Sequence, residues 1–99
     1  MGKRRRYHPD VANDLAAATA YYDDISVELG NPFRSAVRAR FESISEFPQS
    51  FGCIHEQVRV AMTKQFPYVI LFEDRDESVA ILGVFHAEFS QQGWFVRTM

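Results

Sequence analysis

Residues 66–86 read FPYVILFEDRDESVAILGVFH, and this stretch decides the fold. Two apolar runs rich in β-branched and aromatic residues, Tyr68 to Glu73 and Ser78 to His86, lie on either side of the charged segment 74–77. This composition is typical of two strands joined by a turn. Because both runs are apolar on both faces, we expect them to lie inside a sheet that has helices covering one face.

Two more strands are predicted earlier in the chain. Residues 58–63 alternate between two sets, Val58, Val60 and Met62 against Arg59, Ala61 and Thr63. A period of two is the pattern of a half-buried strand. The segment Arg4 to Tyr7 is predicted to form another short strand ahead of the first helix.

Two helices are predicted between these strands. His8-Pro9-Asp10 begins the first, because proline is favoured in the first helical turn. Gly30 is predicted to end it, and Asn31-Pro32 to cap and begin the second. The first apolar stripe consists of Val11, Leu15, Ala18, Tyr22, Ile25 and Leu29. The second consists of Phe33, Val37, Phe41, Ile44 and Phe47, with Pro48 marking the end.

The predicted element order is therefore β-α-α-β-β-β. Helices joined by a short connection form an antiparallel hairpin. We expect an α+β fold in which this helix hairpin packs on one face of a small, mainly antiparallel sheet. Residues 1–99 are predicted to be one domain, with a basic N-terminal segment at 1–6 and an aromatic C-terminal tail at 89–99.

Composition and charge exclude several classes of protein. The chain is 46% apolar and 24% charged, as in an ordinary globular domain. Its net charge is −2. From Tyr7 onward the net charge is −6, because four of the positive charges belong to Lys3, Arg4, Arg5 and Arg6. This balance argues against a protein whose whole surface binds phosphate. Its longest apolar runs have seven residues, whereas a membrane-spanning helix needs about 20. The chain has one cysteine, Cys53, and therefore cannot form an internal disulfide. Because disulfides are typical of oxidising compartments, we expect a cytoplasmic protein.

Short motifs follow one another along nearly the whole chain. After the helix hairpin come Phe47-Pro48, Arg59 in a strand, Phe66-Pro67-Tyr68-x-Ile70-x-Phe72 and Ile81-x-x-Val84-x-His86. In this order and spacing they resemble the ParE/RelE toxin superfamily of bacterial type II toxin–antitoxin modules. The resemblance covers roughly residues 5–94 and is greater to the ParE-like, plasmid-stabilisation branch than to the RelE branch.

The resemblance implies a small toxin that a cognate ParD- or RelB-like antitoxin holds inactive. It also implies that the toxin forms either a homodimer or a hetero-oligomer with the antitoxin. The antitoxin's C-terminal segment typically lies over the toxin's helices and sheet. ParE-type members are associated with inhibition of DNA gyrase, and RelE-type members with cleavage of mRNA in the ribosome. A diverged member without toxicity, which serves only as an interaction module, is a third hypothesis.

The two toxic activities need different side chains. Metal-independent RNA cleavage needs a group that activates the 2′-hydroxyl, a cation and an acid. Where the resemblance places basic residues of the nucleases, this chain has Val60, Met62, Val69 and the segment Ala87-Glu88-Phe89. This difference favours an inhibitor without catalysis. For a nuclease, Arg59 and His86 are the candidate acid/base pair, although each also has a structural interpretation, as a strand arginine and a hydrogen-bonded strand-end histidine.

The candidate contacts with an antitoxin or target are Arg34, Arg38, Arg59, Lys64, Phe89 and Trp94. In the second helix, Arg34, Arg38 and Arg40 offer positive charge to an acidic antitoxin segment, or serve only solubility. The aromatic tail is predicted either to fold back on the domain or to form an exposed interface patch. Acidic residues of the first helix are expected to form a solvated face: Asp14, Asp23, Asp24 and Glu28.

No metal or cofactor site is predicted. Cys53-x-His55, with the distant His8 and His86, lacks the paired ligand spacings of structural zinc sites. The sequence contains neither a P-loop motif nor the glycine pattern that binds dinucleotides.

Overall fold

The computed structural model describes residues 2–87, in which two helices lie on one face of a five-stranded sheet. The elements are β1 (Arg4–Tyr7), α1 (Val11–Ile25), α2 (Val27–Glu46), β2 (Cys53–His55), β3 (Val58–Met62), β4 (Tyr68–Asp74) and β5 (Ser78–His86), with a 3₁₀ turn at Pro48–Ser50. The strand order is β1-β5-β4-β3-β2, in which β1 is parallel to β5 and the other neighbouring pairs are antiparallel. The predicted α+β class and helix hairpin are confirmed.

The two apolar runs of residues 66–86 form adjacent inner strands, as predicted. Their register runs from Tyr68 opposite His86 to Asp74 opposite Val79. The turn between them is closed by a 2.9 Å hydrogen bond from the N–H of Arg75 to the carbonyl of Ser78. The basic strand β1 lies beside β5 at one edge of the sheet. Arginines on an edge strand discourage pairing with other chains.

The short strand β2 was not predicted. Cys53 is exposed in this edge strand. Cys53 pairs with Arg59 and His55 with Val58, with an irregularity between the two pairs. A positive φ of 49° at Glu56 turns the chain back from β2 into β3. The strand therefore exists because this turn brings it beside β3, and its own three residues carry no apolar alternation.

The boundary between the helices lies at Ser26, not at the predicted Gly30. Ser26 takes an extended conformation (φ −173°, ψ 136°), and its Oγ accepts a 3.0 Å hydrogen bond from the N–H of Glu28. This cap begins α2 because it satisfies an N–H that the first helical turn leaves unpaired. Gly30 and Asn31-Pro32 consequently lie inside α2. Within residues 2–87, neither helix has the length and apolar character of a membrane-crossing segment.

Gly30 has a packing role where the two helices meet. A Cβ at this position would lie 1.7 Å from Oδ1 of Asp23 in α1. That carboxylate is paired with Arg34 of α2, whose Nη2 donates to Oδ2 of Asp23 at 2.6 Å. Glycine leaves the space in which this ion pair forms, so a larger residue would displace the Asp23 carboxylate.

Buried side chains form two clusters, one on each face of the sheet. Under the helices, the ring of Phe33 lies 5.0 Å from Tyr22, 5.2 Å from Phe66 and 5.1 Å from Tyr68, measured between centroids. The cluster on the other face, called the far cluster below, is formed by Val69, Leu71, Ala80, Leu82 and Phe85, with Ile54, Val58, Val60 and Ala87 packed against it. Both faces of β4 and β5 are therefore apolar and buried, as their sequence indicates.

Three apolar residues of the predicted helical stripes are exposed: Ile25, Leu29 and Phe47. Ile25 and Leu29 lie on either side of the break at Ser26, where the chain leaves the helical phase. Phe47 is the residue after α2, with φ −136° and ψ 58°, so the period of the helix does not extend to it.

Candidate functional site

Arg59 is bonded to the chain's own backbone. Its neighbours Val58 and Val60 pack against the far cluster, so Arg59 projects from the face that carries the helices. Its Nη1 donates a hydrogen bond to the carbonyl oxygen of Phe51. The guanidinium thus holds the segment before β2 against β3, which is a structural role.

His86 ends β5 and lines a groove between α1 and the sheet. Its ring lies 5.3 Å from the ring of Tyr68, its partner in the β4–β5 register. The groove has a volume of about 480 Å³, and Asp14, Tyr21 and Tyr22 of α1 also line it. We call it the tyrosine groove.

The register separates the two catalytic candidates. Arg59 pairs with Phe72 of β4, whereas His86 pairs with Tyr68, four residues earlier on that strand. Two strand spacings and four residues of rise place the Cα atoms of Arg59 and His86 roughly 16 Å apart. With Arg59 held by the Phe51 carbonyl, the structure does not bring the two side chains together in one site.

At three sheet positions the resemblance places basic residues of the nucleases, whereas this chain has Val60, Met62 and Val69. Two of these positions also have apolar surroundings. Val69 is buried in the far cluster and Val60 packs against it. Met62 is exposed at the end of β3. An RNA strand at these positions would meet aliphatic and thioether groups, which do not neutralise phosphate.

Two of the predicted binding residues, Arg34 and Arg38, lie together on one turn of α2. They line a groove of about 580 Å³ between the helices, which we call the basic groove. Arg5 and Tyr7 of β1 line the same groove and were not predicted as site residues. The third arginine of α2, Arg40, is elsewhere, because its Nε donates to the carbonyl of Met62 at 2.8 Å.

The other predicted contacts do not join this groove. Lys64 is exposed in the connection between β3 and β4, and Arg59 is held by Phe51. Phe89 and Trp94 lie outside the described residues, as does the rest of the aromatic tail. Among residues 2–87, no three His, Cys, Asp or Glu side chains are grouped so that they could hold a metal ion.

Burial raises the pKa of the Tyr22 and Tyr68 hydroxyls in the tyrosine groove above the usual 10.0, and neighbouring tyrosines raise it further. The unfolded chain therefore loses these protons at a lower pH than the folded chain does. Their contribution to stability is fully present below the unfolded pKa and is lost as the pH rises through it towards the folded pKa. We predict that the free energy of unfolding decreases with pH above 10.0.

Urea unfolding from about pH 8 to about pH 11 measures this slope. Tyr22→Phe should make the decrease shallower, because it removes one of the shifted hydroxyls. Tyr7→Phe is the matched control, since Tyr7 is 45% exposed and lies outside the tyrosine groove. A decrease of equal slope in both variants would contradict the assignment.

Known proteins are similar to this chain in sequence and in fold. Residues 5–90 match the family described as the ParE toxin of the type II toxin-antitoxin system, parDE. Toxin ParE2 of Mycobacterium tuberculosis, from two strains, is 32% identical over 90 residues, covering 87% of this chain and 83% of that protein. In the solved structure of the chromosomal ParDE TA system from P. aeruginosa, one chain is 16% identical, with a TM-score of 0.73 over 87% of this chain and 97% of that one.

The family match spans most of the chain, and the M. tuberculosis relative is similar over nearly its own full length. The P. aeruginosa structure shows that the fold is shared. The resemblance given by the helix hairpin and the strand motifs is confirmed on this basis. The chain belongs to the ParE toxin family of type II toxin–antitoxin systems.

Proposed function

We propose that this chain is a toxin that inhibits DNA gyrase by binding it, and that a cognate antitoxin encoded beside it neutralises the inhibition. The observation that carries the proposal is the family match over residues 5–90. The ParE branch is associated with gyrase inhibition, as the resemblance implies. The toxin acts in the cytoplasm, where gyrase lies, and its exposed free thiol at Cys53 suits a reducing compartment.

The geometry of the sheet supports binding over catalysis. Catalysis of RNA cleavage by an acid/base pair requires both groups within hydrogen-bonding reach of one substrate. Arg59 is bonded to the Phe51 carbonyl, and His86 lies roughly 16 Å away by strand register. Neither residue is therefore placed for that reaction with the other.

The charge of the chain also supports a protein target. The net charge is −2 over the whole chain. A protein that entered an RNA-lined site would be repelled by phosphate unless positive charge were concentrated at the contact. A protein surface imposes no such requirement, and aromatic and arginine side chains are enriched where proteins contact each other.

A supercoiling assay with purified gyrase tests the proposal. We expect that a stoichiometric excess of the toxin abolishes supercoiling, and that prior addition of the antitoxin restores it. Arg59→Ala and His86→Ala, if they fold, should inhibit as the wild type does, because neither residue acts as a catalyst. Undiminished supercoiling at excess toxin would refute gyrase as the target.

A translation extract provides the second arm. Message that is cleaved by the wild type, and left intact by the His86→Ala and Arg59→Ala variants, would show a ribosome-dependent nuclease instead. Induced expression in cells distinguishes both activities from a non-toxic interaction module, since only a toxin arrests growth. Rescue by the neighbouring gene product would identify the antitoxin.

A further inference from the structure

The segment that joins the two helices carries more than half of the large apolar side chains that are exposed. Seven such side chains are exposed within residues 2–87, and four of them belong to residues 21–29: Tyr21, Ile25, Val27 and Leu29. We call residues 21–29 the hairpin tip. Apolar side chains that are exposed singly need no explanation, whereas a group of them marks a surface that another molecule covers.

The hairpin tip continues into the tyrosine groove. Tyr21 and Ile25 belong to both, since they also line the groove. On the α1 side, the rings of Tyr21 and Tyr22 lie 5.1 Å apart between centroids, with 79° between their planes. On the sheet side, Tyr68 and His86 form a second pair of rings, also nearly perpendicular at 76°. The tip and the groove together are therefore an exposed apolar ridge beside a hollow lined by aromatic rings.

The charged side chains of the hairpin tip are all acidic. Asp24 and Glu28 are exposed, and neither carboxylate takes part in a hydrogen bond or an ion pair within residues 2–87. The third, Asp23, is paired with Arg34 at 2.6 Å. A second copy of this chain, placed tip to tip, would bring the same carboxylates against each other. The charge of the tip therefore favours a basic partner over a symmetric dimer.

We infer that the hairpin tip and the tyrosine groove form the surface that contacts gyrase, and that a lysine or arginine side chain of gyrase enters the groove. This assignment rests on the proposed function and adds to it the location and the chemistry of the contact. Gyrase acts on DNA, and a protein that binds DNA concentrates lysine and arginine where it neutralises phosphate. A basic surface of that kind is complementary to the acidic tip.

The tyrosine groove suits a cationic side chain. A guanidinium or ammonium group is attracted to the face of an aromatic ring within about 6 Å of its centroid. Tyr21 is 60% exposed, so its ring is accessible to a partner. The carboxylate of Asp14 also lines the groove and adds negative charge. Pockets of about 300–1,000 Å³ hold small ligands, so a groove of about 480 Å³ has room for one long side chain.

Supercoiling by purified gyrase, titrated with variants of the toxin, tests this assignment. Asp24→Lys reverses a charge of the tip, and Tyr21→Ala removes a ring that the tip and the groove share. We expect each to raise the toxin concentration needed for half inhibition at least about tenfold, the effect of losing one interface hot spot. Because Asp24 lies in the last turn of α1, a lysine there interacts favourably with the helix dipole, so the variant should remain folded.

The matched controls make the same kinds of change away from the tip. Glu77→Lys reverses an exposed acidic residue in the connection between β4 and β5. Phe47→Ala removes a ring that is 63% exposed beyond the end of α2. Neither residue lines the tyrosine groove, so both variants should inhibit gyrase as the wild type does. Melting curves of each variant, run first, show that weaker inhibition does not result from unfolding.

The outcomes distinguish this assignment from the proposed function. If the wild type leaves supercoiling undiminished, gyrase is not the target and both are refuted. If the wild type inhibits and the tip variants inhibit equally well, or if the controls lose as much as the tip variants, the contact lies elsewhere and the proposed function stands. Light scattering of the toxin alone adds a further arm. A homodimer that Asp24→Lys or Tyr21→Ala dissociates would assign the tip to a second copy of the chain and overturn the contact with gyrase.

Discussion

Replacing Phe33 by alanine is expected to lower the free energy of unfolding by about 3–5 kcal/mol, the cost of truncating a fully buried phenylalanine. Phe33 is 0% exposed, and three aromatic rings surround it at centroid distances of 5.0–5.2 Å. The cavity left behind is bordered by rigid rings that cannot collapse into it without leaving their rotamers. Urea unfolding followed by circular dichroism measures the loss.

Phe47→Ala is the matched control for this prediction. Both phenylalanines belong to the stripe that the sequence predicts for the second helix, and the chemical change is the same. Phe47 is 63% exposed beyond the end of α2, so its truncation should alter stability by no more than about 0.5 kcal/mol. Equal losses in the two variants would mean that Phe33 is not the centre of the aromatic cluster.

The inner strands could be predicted because their signals are local. The two seven-residue apolar runs in residues 66–86 are too short for most helices and apolar on both faces, and their charged connection closes a tight turn. The edge strand β2 could not be predicted in the same way. Its residues are mostly exposed, and only the turn at Glu56 and the pairing of Cys53 with Arg59 create it.

The helix boundary shows two local signals in competition. Ser26 and Asn31-Pro32 both have the residue types that begin helices. The apolar stripe continues through Leu29, which favours the later boundary, so the sequence alone does not reveal that Ser26 is the cap. The contact that accompanies the earlier break is tertiary, since Arg34 reaches Asp23 in the preceding helix.

The candidate site was partly predictable for a similar reason. A spacing of four residues puts Arg34 and Arg38 on one face of a helix, and the structure keeps them together in the basic groove. That β1 adds Arg5 and Tyr7 to this groove depends on the parallel pairing of β1 with β5, which joins residues far apart in sequence. The hydrogen bond that engages Arg59 ends on a backbone carbonyl of an irregular segment, and no residue pattern indicates it.

Asp14 was predicted to lie on a solvated acidic face of α1, but it forms a hydrogen bond with the sheet. The strand β1 follows β5 only as far as Tyr7 opposite Ile81. Beyond that point, the N–H of Val84 has no partner from β1, and Oδ2 of Asp14 accepts its hydrogen bond at 3.1 Å. The carboxylate thus replaces a strand neighbour and ties α1 to the inner strand β5.

Asp14→Ala is therefore expected to cost about 2 kcal/mol in the free energy of unfolding, the penalty for leaving a buried donor unpaired. Val84 is 3% exposed, so water cannot easily replace the lost acceptor. Asp14→Asn keeps an oxygen acceptor in the same place and should lose less than half as much. Chemical denaturation of the three proteins measures these differences.

Asp24→Ala is the control that separates the loss of the hydrogen bond to Val84 from the change in helix propensity. Asp24 is an exposed aspartate of the same helix, so its replacement gives the same gain in helix propensity, about 0.5 kcal/mol, without removing the acceptor of Val84. The difference between the two alanine variants is the contribution of the carboxylate at β5 plus the helix-dipole effects, about 0.3–1 kcal/mol each, because Asp14 lies in the first turn of α1 and Asp24 in the last. If Asp14→Ala and Asp24→Ala were equally stable, Val84 would have to find another acceptor, and α1 would be held to the sheet by apolar packing alone.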